Sequence, residues 1–330
     1  MEKQIDFLAI GDIVSEPFIK INDVMGKCDD KGEHCKLCFN FGEKIPYESA
    51  EVLHALGNSS NAAVGASRLG LNTSLVTYIG DDQTGKEDMK VLLENNVRID
   101  YIGIIKGLPS NYHYVLWYQD ERTILVKHTE FPYSFPADIP EPKWIYLSSL
   151  APNSEEYHDQ IFEYLKQHPN IKLAFQPGTF QIKLGIEKLR EMYQLAEVFL
   201  CNKEEAQKIL ESNEEDILKL MFILKDLGPK IVVITDALDG AYAMTESEIW
   251  FAPAYIKESY ERTGAGDAFS SAFVSALIYE KSIPEALVWG TINSMSVVSQ
   301  LGPQKGLLNK EQLEEYLITI PEEYKPKKIK

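Results

Sequence analysis

Short apolar runs alternate with helix-length amphipathic stretches along the whole chain. The runs at 6–10, 74–79, 144–147, 172–175, 198–200 and 230–235 are rich in Val, Ile, Leu and aromatic residues. Gly, Pro or Asn bounds them, and they read as buried strands. Helix-period patterns fall at 61–69, 85–95, 155–168, 186–195, 203–212, 215–227, 264–280, 284–301 and 309–317. Strand and helix in alternation predict an α/β chain, with a mostly parallel central sheet and helices on both faces.

Two segments break the rhythm. Residues 13–50 are polar, contain glycines and hold three of the four cysteines. Residues 100–130 pattern as a hairpin, with strand-like runs at 111–118 and 122–126 and a turn at 119–122. Both are expected to leave the main sheet and build a small β lid, which would keep water from a site beneath it. Alternation sets Tyr112 and Tyr114 on one face and His113 on the other. Such a face either closes over a ligand or packs as a β surface, a homodimer through the lid being one form.

Composition narrows the class. The chain has 330 residues and a net charge of −17, with 45% hydrophobic and 25% charged residues. That balance is globular and opposes nonspecific binding to nucleic acid or anionic membranes. A phosphate-handling site would therefore gain its attraction locally. The lysine-rich end, 325–330, reads as a solvated tail. No apolar run approaches the roughly 18 residues of a membrane span. The segment 1–11 reads as a first strand rather than a signal peptide. Four cysteines make no secreted disulfide framework at this size, so a reducing cytoplasm is expected.

The strongest chemistry lies at Thr263-Gly264-Ala265-Gly266-Asp267-Ala268-Phe269. Small residues at the mouth of an apolar helix leave backbone N–H groups bare, and the helix dipole favours an anion there. A carboxylate touching that site can take a proton from an attacking hydroxyl. Anion cradle plus adjacent base is the minimum equipment for phosphoryl transfer to an alcohol. The run is not a dinucleotide fingerprint, because Phe269 stands where G-x-G-x-x-G needs a small residue. Gly80-Asp81-Asp82-Gln83-Thr84-Gly85-Lys86-Glu87 nearly spells a P-loop. Its last residue is Glu instead of Ser or Thr, and its aspartates would repel phosphate.

The same run resembles the C-terminal signature of the ribokinase-like (PfkB) carbohydrate kinases, D-T-x-G-A-G-D-x-F. Asn58-Ser59-Ser60-Asn61-Ala62-Ala63 with Arg68-Leu69-Gly70 resembles the N-terminal signature. Gly80-Asp81-Asp82 with Gly85 resembles the next strand exit, which would sit near the substrate. Asn202-Lys203-Glu204-Glu205 resembles the N-x-x-E motif. The resemblance implies a three-layer ribokinase-like fold: one kinase domain over 1–330 with lid excursions at about 13–50 and 100–130. It implies transfer of the γ-phosphoryl of ATP to a hydroxyl of a sugar or nucleoside. Asp267 would be the base, and the amides of Gly264, Ala265 and Gly266 the anion hole. Asn61 and Gly57 would lie on the substrate side, and Asn202 on the nucleotide side. Glu205 would help hold Mg²⁺ through water, in keeping with the ion's preference for oxygen ligands and retained water. The competing reading of Asn202 and Glu205 is a helix capping box.

Departures from the family pattern leave alternatives open. Glu16 stands where relatives place a sugar-binding Asp, and Asp12 is a second candidate. Thr235 and Gly240 belong to a turn resembling the nucleotide-side turn, and Asn293 falls where relatives line the adenine pocket. Glu261-Arg262 replaces the usual Asp-Thr pair, which puts a monovalent-cation site in doubt. Arg262 either adds charge near the phosphates or is a surface residue. Cys28, His34, Cys35 and Cys38 either form a structural zinc site, with zinc-knuckle spacing at 35 and 38, or are reduced thiols beside a histidine. Two other functions compete. One is a sugar-phosphate kinase, for which Lys127, Arg122 and Arg98 are the candidate cations. The other is a non-catalytic sugar or nucleotide sensor on the same fold.

Overall fold

The computed structural model describes residues 4–22, 25–27, 36–118, 121–255, 260 and 262–330. Among them, ten strands form one sheet. Its order from edge to edge is Lys327–Lys328, Ile249–Ala252, Ala241–Met244, Ile231–Thr235, Ala196–Asn202, Lys172–Phe175, Trp144–Leu147, Phe7–Ile10, Thr73–Gly80 and Ile102–Ile105. From Ile231–Thr235 to Ile102–Ile105 every pairing is parallel. The three strands at the other edge pair antiparallel.

Central strands of such a sheet are covered on both faces and so read as continuous apolar runs. Phe7, Leu8, Ala9 and Ile10 are all fully buried. Phe7 and Ala9 point to one layer, shared with the helices Asn58–Arg68, Ala265–Ile278 and Ile283–Val298. Leu8 and Ile10 point to the other, with Glu155–Gln167, Ile186–Leu195 and Ile217–Asp226. The α/β expectation, mostly parallel with helices on both faces, holds in three layers.

The Ala-, Gly- and Ser-rich helix Asn58–Arg68 lies very close to Ala265–Ile278. Ser271 Oγ donates to the Ala62 carbonyl at 2.8 Å, and a Cβ on Gly65 would stand 2.5 Å from that oxygen. Small side chains therefore set the helix spacing, and the spacing brings Asn58 and Asn61 to Asp267.

A second sheet, in the order Ser49–Leu56, Val14–Lys20, Tyr114–Tyr118, Glu121–Leu125, is formed from the segments expected to leave the main sheet as a lid. Val14, Phe18, Leu56 and Val115 pack together within it. Its root is tied to the body by Asp88, which accepts the Ala55 amide and the Ser15 hydroxyl, each at 2.7 Å. Met25–Lys27 pairs with Lys36–Cys38 as a separate two-stranded ladder.

Four expectations need correction. The excursion expected over 100–130 is shorter than that, since Ile102–Ile105 stays in the main sheet as its edge strand beside Thr73–Gly80. The segment 325–330 is not wholly a solvated tail: Lys327 and Lys328 pair with Phe251 and Trp250 as the outermost strand. Charge patterning reports side-chain solvation, not backbone pairing, and lysine is a residue that sheet edges favour. Glu121 and Arg122 belong to a strand rather than to the hairpin turn, since Tyr118 pairs with Glu121; residues 119 and 120 lie outside the described set. The strip Gly80–Asp82 serves packing instead of the substrate. Asp82 caps the helix Gln83–Glu94 by accepting the Gly85 amide at 2.9 Å, and it accepts the Ser110 hydroxyl at 2.7 Å. Partial burial alone would raise its pKa, and these bonds hold it below the ordinary carboxylate value.

Candidate active site

The helix Ala265–Ile278 begins from Gly264, which adopts a left-handed conformation with φ 78°. A Cβ there would fall 2.2 Å from Pro303 Cβ, so only glycine fits this cap without strain. The first i→i−4 bond runs from the Ala268 amide to the Gly264 carbonyl at 2.8 Å, and the Ala265 amide makes a 3.4 Å bond to the Arg262 carbonyl. The amides of Gly266 and Asp267 are left without an intrahelical acceptor. Of the residues expected to present amides, Gly264 is the helix cap and Ala265 and Gly266 begin the first turn. A Cβ on Gly266 would meet nothing within 4 Å, so this residue opens onto space that a ligand can occupy.

Asp267 is buried in the first turn, 8% exposed. Its Oδ1 accepts Asn58 Nδ2 at 2.9 Å and Gln176 Nε2 at 3.3 Å; its Oδ2 accepts Asn61 Nδ2 at 2.8 Å. Burial pushes the carboxyl upward, and the three amide bonds and the Arg122 charge draw it back, for a net rise. A carboxylate offers about four acceptor positions. With one amide on Oδ2 against two on Oδ1, the open position is on Oδ2. Gln176 is oriented by Tyr146, whose hydroxyl donates to Gln176 Oε1 and turns the amide nitrogen toward Asp267.

Two cavities meet at this helix mouth, of about 370 and 440 Å³. Asn202, Thr235, Arg262, Ala265, Gly266 and Phe269 line both. The first lies between helix mouth and lid; Gly57, Asn61, Glu16, Glu205 and Asp267 belong to its wall. The second is walled by Gly240, Leu238 and Tyr255 and by Thr291, Ser294, Met295 and Val298, one stripe of the helix Ile283–Val298. Both open at the carboxyl ends of the parallel strands, where α/β sheets bind their ligands.

Most of the expected residues therefore converge. Asn202 and Glu205 are a helix cap, and they also stand at the cavity wall. They form a reciprocal capping box, Asn202 N–Glu205 Oε2 2.9 Å and Glu205 N–Asn202 Oδ1 2.8 Å, and both face the first cavity. Glu205 Oε1 stays outside the cap. Burial raises the Glu205 pKa, the Asn202 amide opposes this, and the charge of Asp267 raises it further. Two neighbouring carboxylates of raised pKa suit a divalent cation. Among the described residues no cluster of three or more His, Cys, Asp or Glu could hold a metal, so such an ion would draw its other ligands from phosphates and water. Glu16 is held by His113, Nδ1–Oε1 3.3 Å, with both side chains buried.

Two expected residues do not reach the cavities. Asp12 is buried beneath Tyr133, whose hydroxyl donates to both carboxylate oxygens at 2.8 and 2.7 Å. Burial pushes its pKa up to about 7 against the Tyr133 bond. Asn293 is fully buried and structural. Its Nδ2 donates to the Ala268 carbonyl at 2.9 Å and its Oδ1 accepts the Leu308 amide at 3.0 Å, and its helix presents Thr291 and Ser294 to the cavity instead. Cys28, His34 and Cys35 lie outside the described residues, as does Glu261; Cys38 is a half-buried free thiol. Of the three cations considered for a substrate phosphate, Arg122 lines the first cavity, Arg98 pairs with Asp100 at 2.9 Å, and Lys127 is exposed outside the cavity walls. Arg262 is exposed and lines both cavities. Sequence reasoning missed Gln176 and Asn58 as partners of Asp267. A polar residue directly after the apolar run 172–175, at the carboxyl end of a parallel strand, was the available signal for Gln176.

The model for pfkB family carbohydrate kinases matches residues 19–310, so the chain belongs to that family. It is a carbohydrate kinase, transferring a phosphoryl group to a sugar hydroxyl. It is 27% identical over 273 residues to 5-dehydro-2-deoxygluconokinase 2 of Bacillus cereus, covering 74% of this chain and 80% of the relative. It is 21% identical over 293 residues to the ribokinase of Haemophilus influenzae, covering 84% and 91%. Its fold matches Arabidopsis thaliana ribokinase, solved with ribose and ATP, at a TM-score of 0.78, 17% identity and coverage of 96% and 99%. The Methanocaldococcus jannaschii nucleoside kinase matches at 0.76, with 16% identity over 97% and 100% of the two chains.

Two outcomes are expected. Asn293→Ala should cost about 1–3 kcal/mol of stability by orphaning a buried carbonyl and amide, with KM for the nucleotide nearly unchanged. A large rise in KM with unaltered urea unfolding would instead place Asn293 in the nucleotide site. The raised Asp12 pKa means its protonated form is favoured by folding. That contribution is fully present below the ordinary aspartate value of 3.8 and is lost as pH rises through about 7. Asp12→Asn should therefore gain stability relative to wild type between pH 5 and pH 8 in urea melts. A pH-independent gap would contradict the account.

Proposed function

We propose that this kinase takes ATP as donor, with Mg²⁺, and that Asp267 is the base which activates the sugar hydroxyl. The observation that carries the reading is the convergence of Asp267 Oδ2 and the uncapped amides of Gly266 and Asp267 on one cavity wall. The second cavity has the apolar lining and few polar groups that suit a nucleoside. The hydroxyl would approach from the lid side, within reach of Glu16 and Asn61.

Proton transfer to Asp267 as the hydroxyl attacks removes positive charge from the incoming oxygen. The Gly266 and Asp267 amides and the Arg262 guanidinium would bind the charge spread over the transferring oxygens. Leu56 and Ile124, from the lid, give the first cavity an apolar roof against water. Glu205 would hold magnesium through water; bound with the nucleotide, the ion neutralises phosphate charge.

The name of the Bacillus cereus relative suggests a gluconate-type sugar as acceptor. Arg122 in the cavity wall favours an acceptor carrying negative charge, which also keeps the sugar-phosphate reading as the second choice. A homodimer through the lid fits its exposed Val52, Tyr114 and Leu125.

Asp267→Asn should lower turnover by roughly 10²–10⁴-fold while ATP binding, measured by calorimetry, stays within a few fold. Turnover would be read as ADP release across a panel of 5-dehydro-2-deoxygluconate, ribose, fructose, nucleosides and sugar phosphates. Near-normal turnover in the variant would remove Asp267 as base.

A further inference from the structure

Gln304 lies in the turn after the helix Ile283–Val298, far along the chain from the groups that its side chain touches (243 residues separate it from Asn61). It is buried, and its backbone carbonyl is pinned by Arg68 Nη1 at 2.7 Å. Its amide nitrogen donates to the Ala55 carbonyl at 2.7 Å and to Asn61 Oδ1 at 3.0 Å. Asn61 in turn donates through Nδ2 to Asp267 Oδ2 at 2.8 Å.

The polarity of this chain is fixed by its first member. A backbone carbonyl can only accept, so the Gln304 nitrogen, not its oxygen, must face Ala55. That nitrogen also faces Asn61, so Asn61 must present its oxygen there and its amide nitrogen to Asp267. Turned the other way, Asn61 would set a carbonyl oxygen against the carboxylate. Ala55 lies in the lid strand Ser49–Leu56 with φ +53°, in the left-handed region, and its amide is held by Asp88. Ser60 also donates to its carbonyl. The strained peptide at the root of the lid is therefore gripped from both sides.

We infer that Gln304 is a positioning residue for phosphoryl transfer: it locks the Asn61 amide so that its nitrogen faces Asp267, and it anchors that lock to the root of the lid. Movement of the lid strand at Ala55 would be felt at the base through three hydrogen bonds, Ala55 to Gln304, Gln304 to Asn61 and Asn61 to Asp267. This rests on Asp267 being the base. The charged and titratable groups otherwise acting on Asp267 are Glu205 from its helix, Arg122 from the lid and Tyr146 from the sheet.

Gln304→Met keeps the shape and removes the donor. The Asp267 carboxyl carbon, followed by NMR in ¹³C-aspartate-labelled protein and assigned by its loss in Asp267→Asn, should then titrate about one pH unit higher. It needs no sugar. With ATP and the acceptor that the panel selects, kcat should fall roughly tenfold with KM for ATP within twofold. Asn61→Ala combined with Gln304→Met should equal Asn61→Ala alone in both readouts. An unmoved titration, or losses that add, would overturn the inference. Should Gln304→Met not fold, Gln304→Glu, which presents only acceptors when ionised, is expected to give the same shift and loss; unchanged behaviour there would overturn it equally. Asp267→Asn separates the two claims. If it retains turnover, the base reading fails; if it is inactive while Gln304→Met titrates as wild type, only the Gln304 link fails.

Discussion

A buried carboxylate at the start of a helix is the interaction on which the rest depends. Taking Asp267 out of water costs several kcal/mol if nothing replaces the solvent. Three side-chain amides replace it, from Asn58, Asn61 and Gln176, and each such bond to a charged group returns about 1.5–3 kcal/mol. The longest, 3.3 Å from Gln176, contributes least. The balance leaves the carboxyl with a raised pKa and one acceptor position open, which is the state a base requires.

The fold supplies those partners from four places in the chain. The close helix pair built on Ala62, Gly65 and Ser271 brings Asn58 and Asn61 across. The parallel sheet delivers Gln176, Asn202 and Thr235 at adjacent strand ends. Gly264 turns the backbone so that the helix begins under Pro303, and the lid roofs the cavity with Leu56, Arg122 and Ile124. Removing any of these would leave an anion cradle, a charge or a cavity without its complement.

Features whose cause is local were legible in the sequence. The strands 144–147 and 172–175 and the helix 186–195 lie where the apolar periodicity puts them. The helix start at Gly264–Asp267 was legible because small residues and a carboxylate stand next to one another ahead of an apolar run. Asn202 and Glu205 were legible twice over, since a capping box and a cavity wall need the same residues. What failed was the side on which an isolated polar residue points. Asp12 and Asn293 are polar positions in apolar surroundings, and nothing local distinguishes a residue satisfied by Tyr133 or Ala268 from one awaiting a ligand. Gln304 was invisible for the opposite reason, because topology alone brings it to the site. The antiparallel edge strands 241–244 and 249–252 follow the strand 231–235 with no α-helix between them, so the strand-helix alternation did not mark them, and 327–328 is only two residues long.

The most direct test is a crystal structure of the protein with ADP, Mg²⁺ and aluminium fluoride. The fluoride, standing in for the transferring phosphoryl group, should lie within hydrogen-bond distance of the Gly266 and Asp267 amides. Asp267 Oδ2 should face the position of the attacking oxygen, and adenine should sit in the cavity lined by Thr291, Ser294 and Met295. A fluoride seated away from the helix mouth, or Asp267 turned from it with its amide partners intact, would contradict the account.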